Sequence, residues 1–162
     1  MRVVVSDANI LIDLVDGGIA SSLSHLPYQI VVPEILFEEE LRARHSNLLD
    51  LGISIEPSAE NSILEVERQI RRFPRISRND AFALVMAQEK QCVLLTGDQN
   101  LRKAAENCEI EVHGTVHLIE EIVAAGIFSG ERLREAINLM KSRGRRLPWN
   151  HVDRVIDRSL NT

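Results

Sequence analysis

The chain has 162 residues, with 19 Lys+Arg against 24 Asp+Glu (formal net charge −5), 44% hydrophobic residues and two cysteines. These figures exclude a disordered chain, a collagen and a disulfide scaffold, and they suit one core that buries roughly 70% of its unfolded surface without a staple. No run approaches the ~18 apolar residues of a membrane span, six aromatic residues are too few for a surface built on base stacking, and the acidic total weighs against nucleic acid as a partner.

Val3–Val5 predicts a short buried strand that ends at Ser6-Asp7. The same abrupt polar stop argues against a signal peptide, and two isolated cysteines suit a reduced, cytoplasmic setting. Ile10, Leu11, Leu14 and Val15 recur at helical spacing until Gly17-Gly18. A second strand is expected at Ile30–Val32, with Pro33 opening a helix through Leu41. Residues 58–72 predict a helix with Ile63, Val66 and Ile70 on one face, and residues 77–90 another. Val93–Thr96 is a third strand, after which Gly97-Asp98 turns into a helix through Leu101 and Ala105. Ile110–Val112 predicts a fourth strand, followed by helices near 116–125, 129–143 and 149–159. Strands alternating with helices imply an α/β fold with a mostly parallel sheet covered on both faces, whose sites gather at the carboxyl ends of the strands.

Charge is unevenly spread. Residues 129–162 hold eight Arg/Lys and four Asp/Glu, which leaves 11 basic and 20 acidic side chains in residues 1–128. The expected organisation is a single domain over 1–162, with an α/β core over 1–128 and a helical C-terminal extension over 129–162. Leu133, Ile137 and Met140 in that extension have the spacing of a packing face, and Trp149 reads as its anchor.

Two strands end at an aspartate, Asp7 and Asp98. Each has a plain structural reading as a helix N-cap, and Asp80, three residues after Ser77, as half of a capping box. Taken together they would meet at one edge of the sheet, where one of Glu38, Glu39 and Glu40 also projects. Carboxylates 4 Å apart repel by about 4 kcal/mol per pair at an effective dielectric near 20, so such a cluster makes sense around a hard divalent cation. Arg68, Arg71, Arg72, Arg75 and Arg78 precede Asp80. They read either as a solvated helix face or as a rim that grips phosphate.

Four blocks carry a resemblance: Ser6-Asp7-Ala8-Asn9-Ile10-Leu11-Ile12-Asp13-Leu14, Val32-Pro33 with Glu38–Glu40, Asn79-Asp80-Ala81, and Leu94-Leu95-Thr96-Gly97-Asp98-Gln99-Asn100-Leu101. In this order the chain resembles the PIN-domain nucleases, especially the small prokaryotic members typified by toxin–antitoxin ribonuclease toxins. The resemblance implies a three-layer α/β/α sandwich, Mg²⁺ or Mn²⁺ as cofactor, RNA as substrate, a homodimer and a protein antitoxin. It makes Asp7, Asp80 and Asp98 metal ligands and catalytic residues, with Asn9, Thr96 and Asn100 as supporting polar groups. For the fourth carboxylate the motif's usual Glu-Leu pair reads Glu40-Leu41, while the distance from Pro33 and α-helical phase with Ile35 and Leu36 select Glu39. Arg71, Arg72, Arg75 and Arg78 are the expected RNA contacts.

Other chemistry fares worse. His113 and His117, near Cys108, do not make the four-ligand set of a structural zinc. There is no G-x-S-x-G and no phosphate loop. A phosphatase built on a strand-end aspartate needs an acid where Asn9 stands. The alternative to a ribonuclease is a PIN-like module that binds RNA or protein without cutting.

Overall fold

The computed structural model describes residues 1–160. Its centre is β1 (Arg2–Ser6), three successive valines that are buried from Val4 onward, paired in parallel with β2 (Tyr28–Pro33) on one side and β4 (Val93–Leu95) on the other. β3 (Ser54–Glu56) extends the sheet beyond β2, and β5 (Val112–His113) extends it beyond β4. The order is β3-β2-β1-β4-β5, all parallel. The winding direction reverses between β1 and β4, and that crevice is where an open parallel sheet places its ligands.

The helices among the described residues are α1 (Ala8–Asp16), α2 (Glu34–Leu36) running through a π-helical turn (Phe37–Leu41) into α3 (Arg42–His45), α4 (Glu60–Arg72), α5 (Arg78–Lys90), α6 (Gln99–Asn107), α7 (Thr115–Ala124), α8 (Gly130–Ser142) and α9 (Trp149–Leu160). None is long and apolar enough to cross a membrane. α5 packs directly on β1, β2 and β4 and carries α4 and α6 beside it. It is buried continuously from Ala81 to Ala87, and its small residues let it lie close to the strands. α1, α7, α8 and α9 form the other helical layer, so the chain is a three-layer α/β/α sandwich.

The basic extension is packed against the rest of the molecule. Leu133, Ala136, Ile137, Met140, Val152, Val155 and Ile156 belong to the same apolar cluster as the strands, each large side chain contributing roughly 1.5–3 kcal/mol of burial. α8 approaches α1 closely at Gly17, where an added Cβ would stand 2.7 Å from Met140 Cε. Trp149 opens α9 half-buried against the core, with the Lys141 ammonium 5.2 Å from its ring.

Several expected boundaries move. β3 and the 3₁₀ turns Ala20–His25 and Ser46–Leu51 have no counterpart in the sequence reading. The last strand lies at Val112–His113, displaced toward the C-terminus, and is the fifth. In α4 the buried positions are Ser62, Val66 and Gln69, whereas Ile63 and Leu64 face outward, Leu64 72% exposed. Of the face shared by Ile63, Val66 and Ile70, Val66 is buried and Ile70 packs partly buried against the core, while Ile63 is exposed. Packing on α5 turned this helix so that Ser62 reaches Glu89, with Oγ donating to Oε1 at 2.6 Å.

Candidate active site

Asp7 lies where β1 meets α1, 4% exposed. Its backbone N–H donates to Leu95 O at 3.0 Å, carrying the β1–β4 ladder one step past the strand. Its carboxylate caps α1 by accepting from Ile10 N–H at 3.0 Å, and it also accepts from the Thr96 hydroxyl. Thr96, wholly buried at the end of β4, takes the Asp98 N–H on the same oxygen at 3.1 Å. Asp98 caps α6 through Leu101 N–H at 2.8 Å and stands exposed. The plain reading of both aspartates as N-caps is thus correct, and so is their convergence. One threonine links the two strand-end aspartates across the β1–β4 crevice.

Burial, above all, pushes the Asp7 carboxyl up to about 6. The Thr96 and Ile10 hydrogen bonds oppose that shift, and the charges of Asp80 and Asp13 add to it. Asp80 opens α5 half-buried and completes a capping box with Ser77, N–H to side chain in both directions, at 3.1 and 3.0 Å. Its carboxyl too is raised, by burial first and by Asp98 among its neighbours.

The glutamate run is where the structure departs from an α-helical phase argument. Glu38 turns away and clasps Arg42 with two bonds of 2.6 Å. Glu39 and Glu40 both turn to Asn79, whose Nδ2 donates to Glu39 Oε2 at 3.0 Å and to Glu40 Oε2 at 3.2 Å. Neighbours in an α-helix diverge by about 100°, and the π-helical turn over Phe37–Leu41 reduces that angle. Glu40's carboxyl is raised by partial burial, with Asp80 and Glu39 adding repulsion.

Asp13 and Arg145 form a feature that motif reading missed. Asp13, 7% exposed on α1, accepts from Thr115 Oγ1 at 2.7 Å and from Arg145 Nε at 2.7 Å. The same guanidinium reaches Asn9 O at 3.3 Å and Asn9 Oδ1 at 3.2 Å. The extension therefore lies against the acidic edge and braces Asn9. The only advance signal was the charge asymmetry between segments. Asn9, Asp13, Asp98, Arg145 and Arg146 line a cavity of about 390 Å³. Asn100 sits half-buried in the first turn of α6 with no hydrogen bond among the described residues.

The arginine rim is partly committed elsewhere. Arg78 pairs with Glu67 at 2.6 Å and Arg68 with Glu65 at 2.6 Å, while Arg72 lies over the Phe73 ring beside Cys108 Sγ. Arg71 and Arg75 are exposed and unpaired among the described residues. His113 and His117 stack, centroids 3.8 Å apart, and each faces a glutamate, so with Cys108 against Arg72 they assemble no zinc set.

Among the described residues, no three His, Cys, Asp or Glu side chains stand together in a metal-holding arrangement. The chemistry of the donors nonetheless fits a hard divalent cation. They are all oxygens; burial raises the carboxyls of Asp7, Asp80 and Glu40, and the Asp80 charge adds repulsion at both Asp7 and Glu40. Asp80 Oδ2 accepts from Ser77 N–H, which leaves Oδ1 without a hydrogen-bond partner among the described residues.

Residues 3–160 match the model of the DUF3368 family, described as a PIN domain. Among solved structures the chain is similar to a PilT N-terminus domain protein from the hyperthermophilic archaeon Sulfolobus solfataricus P2. The two share 12% identity and a TM-score of 0.49, with 79% of this chain and 96% of that one covered. No curated protein matches.

Proposed function

Because the chain belongs to the PIN-domain family, a nuclease-type module that typically uses divalent metals, we propose that it is a ribonuclease hydrolysing RNA phosphodiester bonds. The carrying observation is the pair of strand-end aspartates, Asp7 and Asp98, joined through Thr96 and facing Asp80. Asp7, Asp80 and Asp98, with Glu39 and its neighbour Glu40, would hold Mg²⁺ or Mn²⁺. When bound, such an ion supplies Lewis acidity and neutralises charge at the scissile phosphate.

The chain's own groups prepare that site. Thr96 and Ile10 N–H fix the Asp7 carboxylate in one orientation, and Leu101 N–H does the same for Asp98. Asn79 holds the two glutamates beside Asp80, and Arg145 restrains Asn9 at the mouth. Residues 1–162 act as one unit in this reading; the role of toxin component, a protein antitoxin and a homodimer follow from the resemblance, and a cytoplasmic setting from the two unpaired cysteines.

The test is cleavage of single-stranded RNA with Mn²⁺ or Mg²⁺ by wild type, Asp7→Asn and Asp98→Asn. Both variants are expected to fold and to lose metal-dependent cleavage, and full activity in both sinks the assignment. The second reading is a module that binds RNA or protein without cutting, since among the described residues no three acidic side chains already stand in a metal-holding arrangement. Calorimetric titration with Mn²⁺ separates the two, since the non-cutting module predicts no binding at millimolar metal.

A further inference from the structure

A second cleft, of about 400 Å³, opens between α6, the β5–α7 turn and the segment joining α8 to α9. It shares Asp13, Gly97 and Arg146 with the cavity beside Asp98, so the two are continuous around Gly97. We propose that this cleft is a phosphate subsite for the RNA strand, in which Arg102 and Arg146 grip the backbone adjacent to the nucleotide lying across the carboxylates. The inference rests on the ribonuclease reading and deepens it by assigning a role to the extension.

The charge arrangement selects a phosphate. Arg102 and Arg146 both line the cleft, and neither guanidinium makes an ion pair or hydrogen bond among the described residues. Most other guanidiniums near the site are committed: Arg78 to Glu67, Arg143 to Asp16 and Arg145 to Asp13. Of the two acids at the cleft, Asp13 is held by Arg145, and Glu120 lies 3.5 Å from the His151 imidazole at its outer side. Arg102 lies over Gly114, where a Cβ would come to 3.5 Å from its Nη2. The neighbouring acidic edge repels a phosphodiester until it is loaded, so cationic anchoring beside it is needed to seat the strand. Planar guanidiniums suit that contact, which carries no base preference.

The test is fluorescence anisotropy of a labelled short single-stranded RNA in chelator, so that nothing is cut. The variants are Arg102→Gln/Arg146→Gln, which removes two charges, and, as a control, Lys103→Gln, which removes one charge from the helix of Arg102 outside the cleft. The double variant is expected to raise Kd about tenfold, to lower the slope of log Kd against log salt by about 1.4, and to do so equally for oligo-U and oligo-A. Lys103→Gln is expected to leave all three near wild type. A double variant with wild-type affinity and slope overturns the subsite while leaving the ribonuclease reading intact. Asp7→Asn that still cleaves RNA overturns that reading while leaving the subsite intact. A circular dichroism spectrum confirms that each variant is folded.

Discussion

Asp7→Asn separates what the site costs from what it does. In the folded chain the Asp7 carboxyl is raised from its ordinary 3.8 to about 6, chiefly because burial disfavours the charge. That difference is roughly 3 kcal/mol against the ionised form. The sign follows from linkage: the folded state holds the proton more tightly than the unfolded one. Stability from this group is therefore fully present below about pH 4 and lost as pH rises through about 6. Asparagine keeps an acceptor for Ile10 N–H but cannot receive the Thr96 hydroxyl as well, which returns part of the gain. In chelator near pH 8 the variant is expected to be more stable than wild type by about 1–2 kcal/mol, or roughly 3–6 °C in Tm. Near pH 4 the gap should close. Urea titrations at the two pH values measure it. A variant less stable than wild type near pH 8, or a gap of equal size at both, would refute the reasoning.

Thr96→Val keeps shape but removes the hydroxyl shared by Asp7 and Asp98 N–H. It should destabilise the metal-free protein by about 1–3 kcal/mol near neutral pH and weaken Mn²⁺ binding, both readable by calorimetry. Arg145→Ala leaves Asp13 buried with Thr115 alone, an expected loss of about 1–3 kcal/mol, smaller than a fully buried pair because Arg145 is partly exposed. Adding Asp13→Asn should recover part of that loss in a double-mutant cycle, and strict additivity would contradict the pairing. Gly17→Ala drives a methyl toward Met140 and Ala136 O, and a cost of about 1–3 kcal/mol in urea unfolding is expected. A neutral result would show that α8 yields freely.

Much of this architecture is written in short-range signals. Val3–Val5 and Val93–Leu95 announce themselves because strands buried on both faces are uniformly apolar, and Ser77 with Asp80 declares the start of α5 through its capping box. What local pattern could not show depends on tertiary contact. β3 has only three half-buried residues and exists because β2 offers it an edge. Ile63 has the spacing of a core residue on α4, but the packing partner α5 takes the face of Ser62, Val66 and Gln69. Within the site, Asp7, Asp80 and Asp98 were legible because each ends a strand or begins a helix. The choice of Glu39 alone assumed α-helical phase, and the π-helical turn admits Glu40 to the same neighbour. Arg145 meets Asp13 across 132 positions of sequence, a distance at which no spacing rule operates.

That long-range contact has a bearing on synthesis. As the chain emerges from the ribosome, Asp7, Asp80 and Asp98 leave the exit tunnel well before Arg145, Arg146 and His151. Until they emerge, Asn9 lacks its Arg145 contact and the neighbouring cleft lacks the wall carrying Arg146 and His151. The brace on Asn9 and the second guanidinium of the cleft are thus supplied by segments translated after the carboxylates beside which they come to lie.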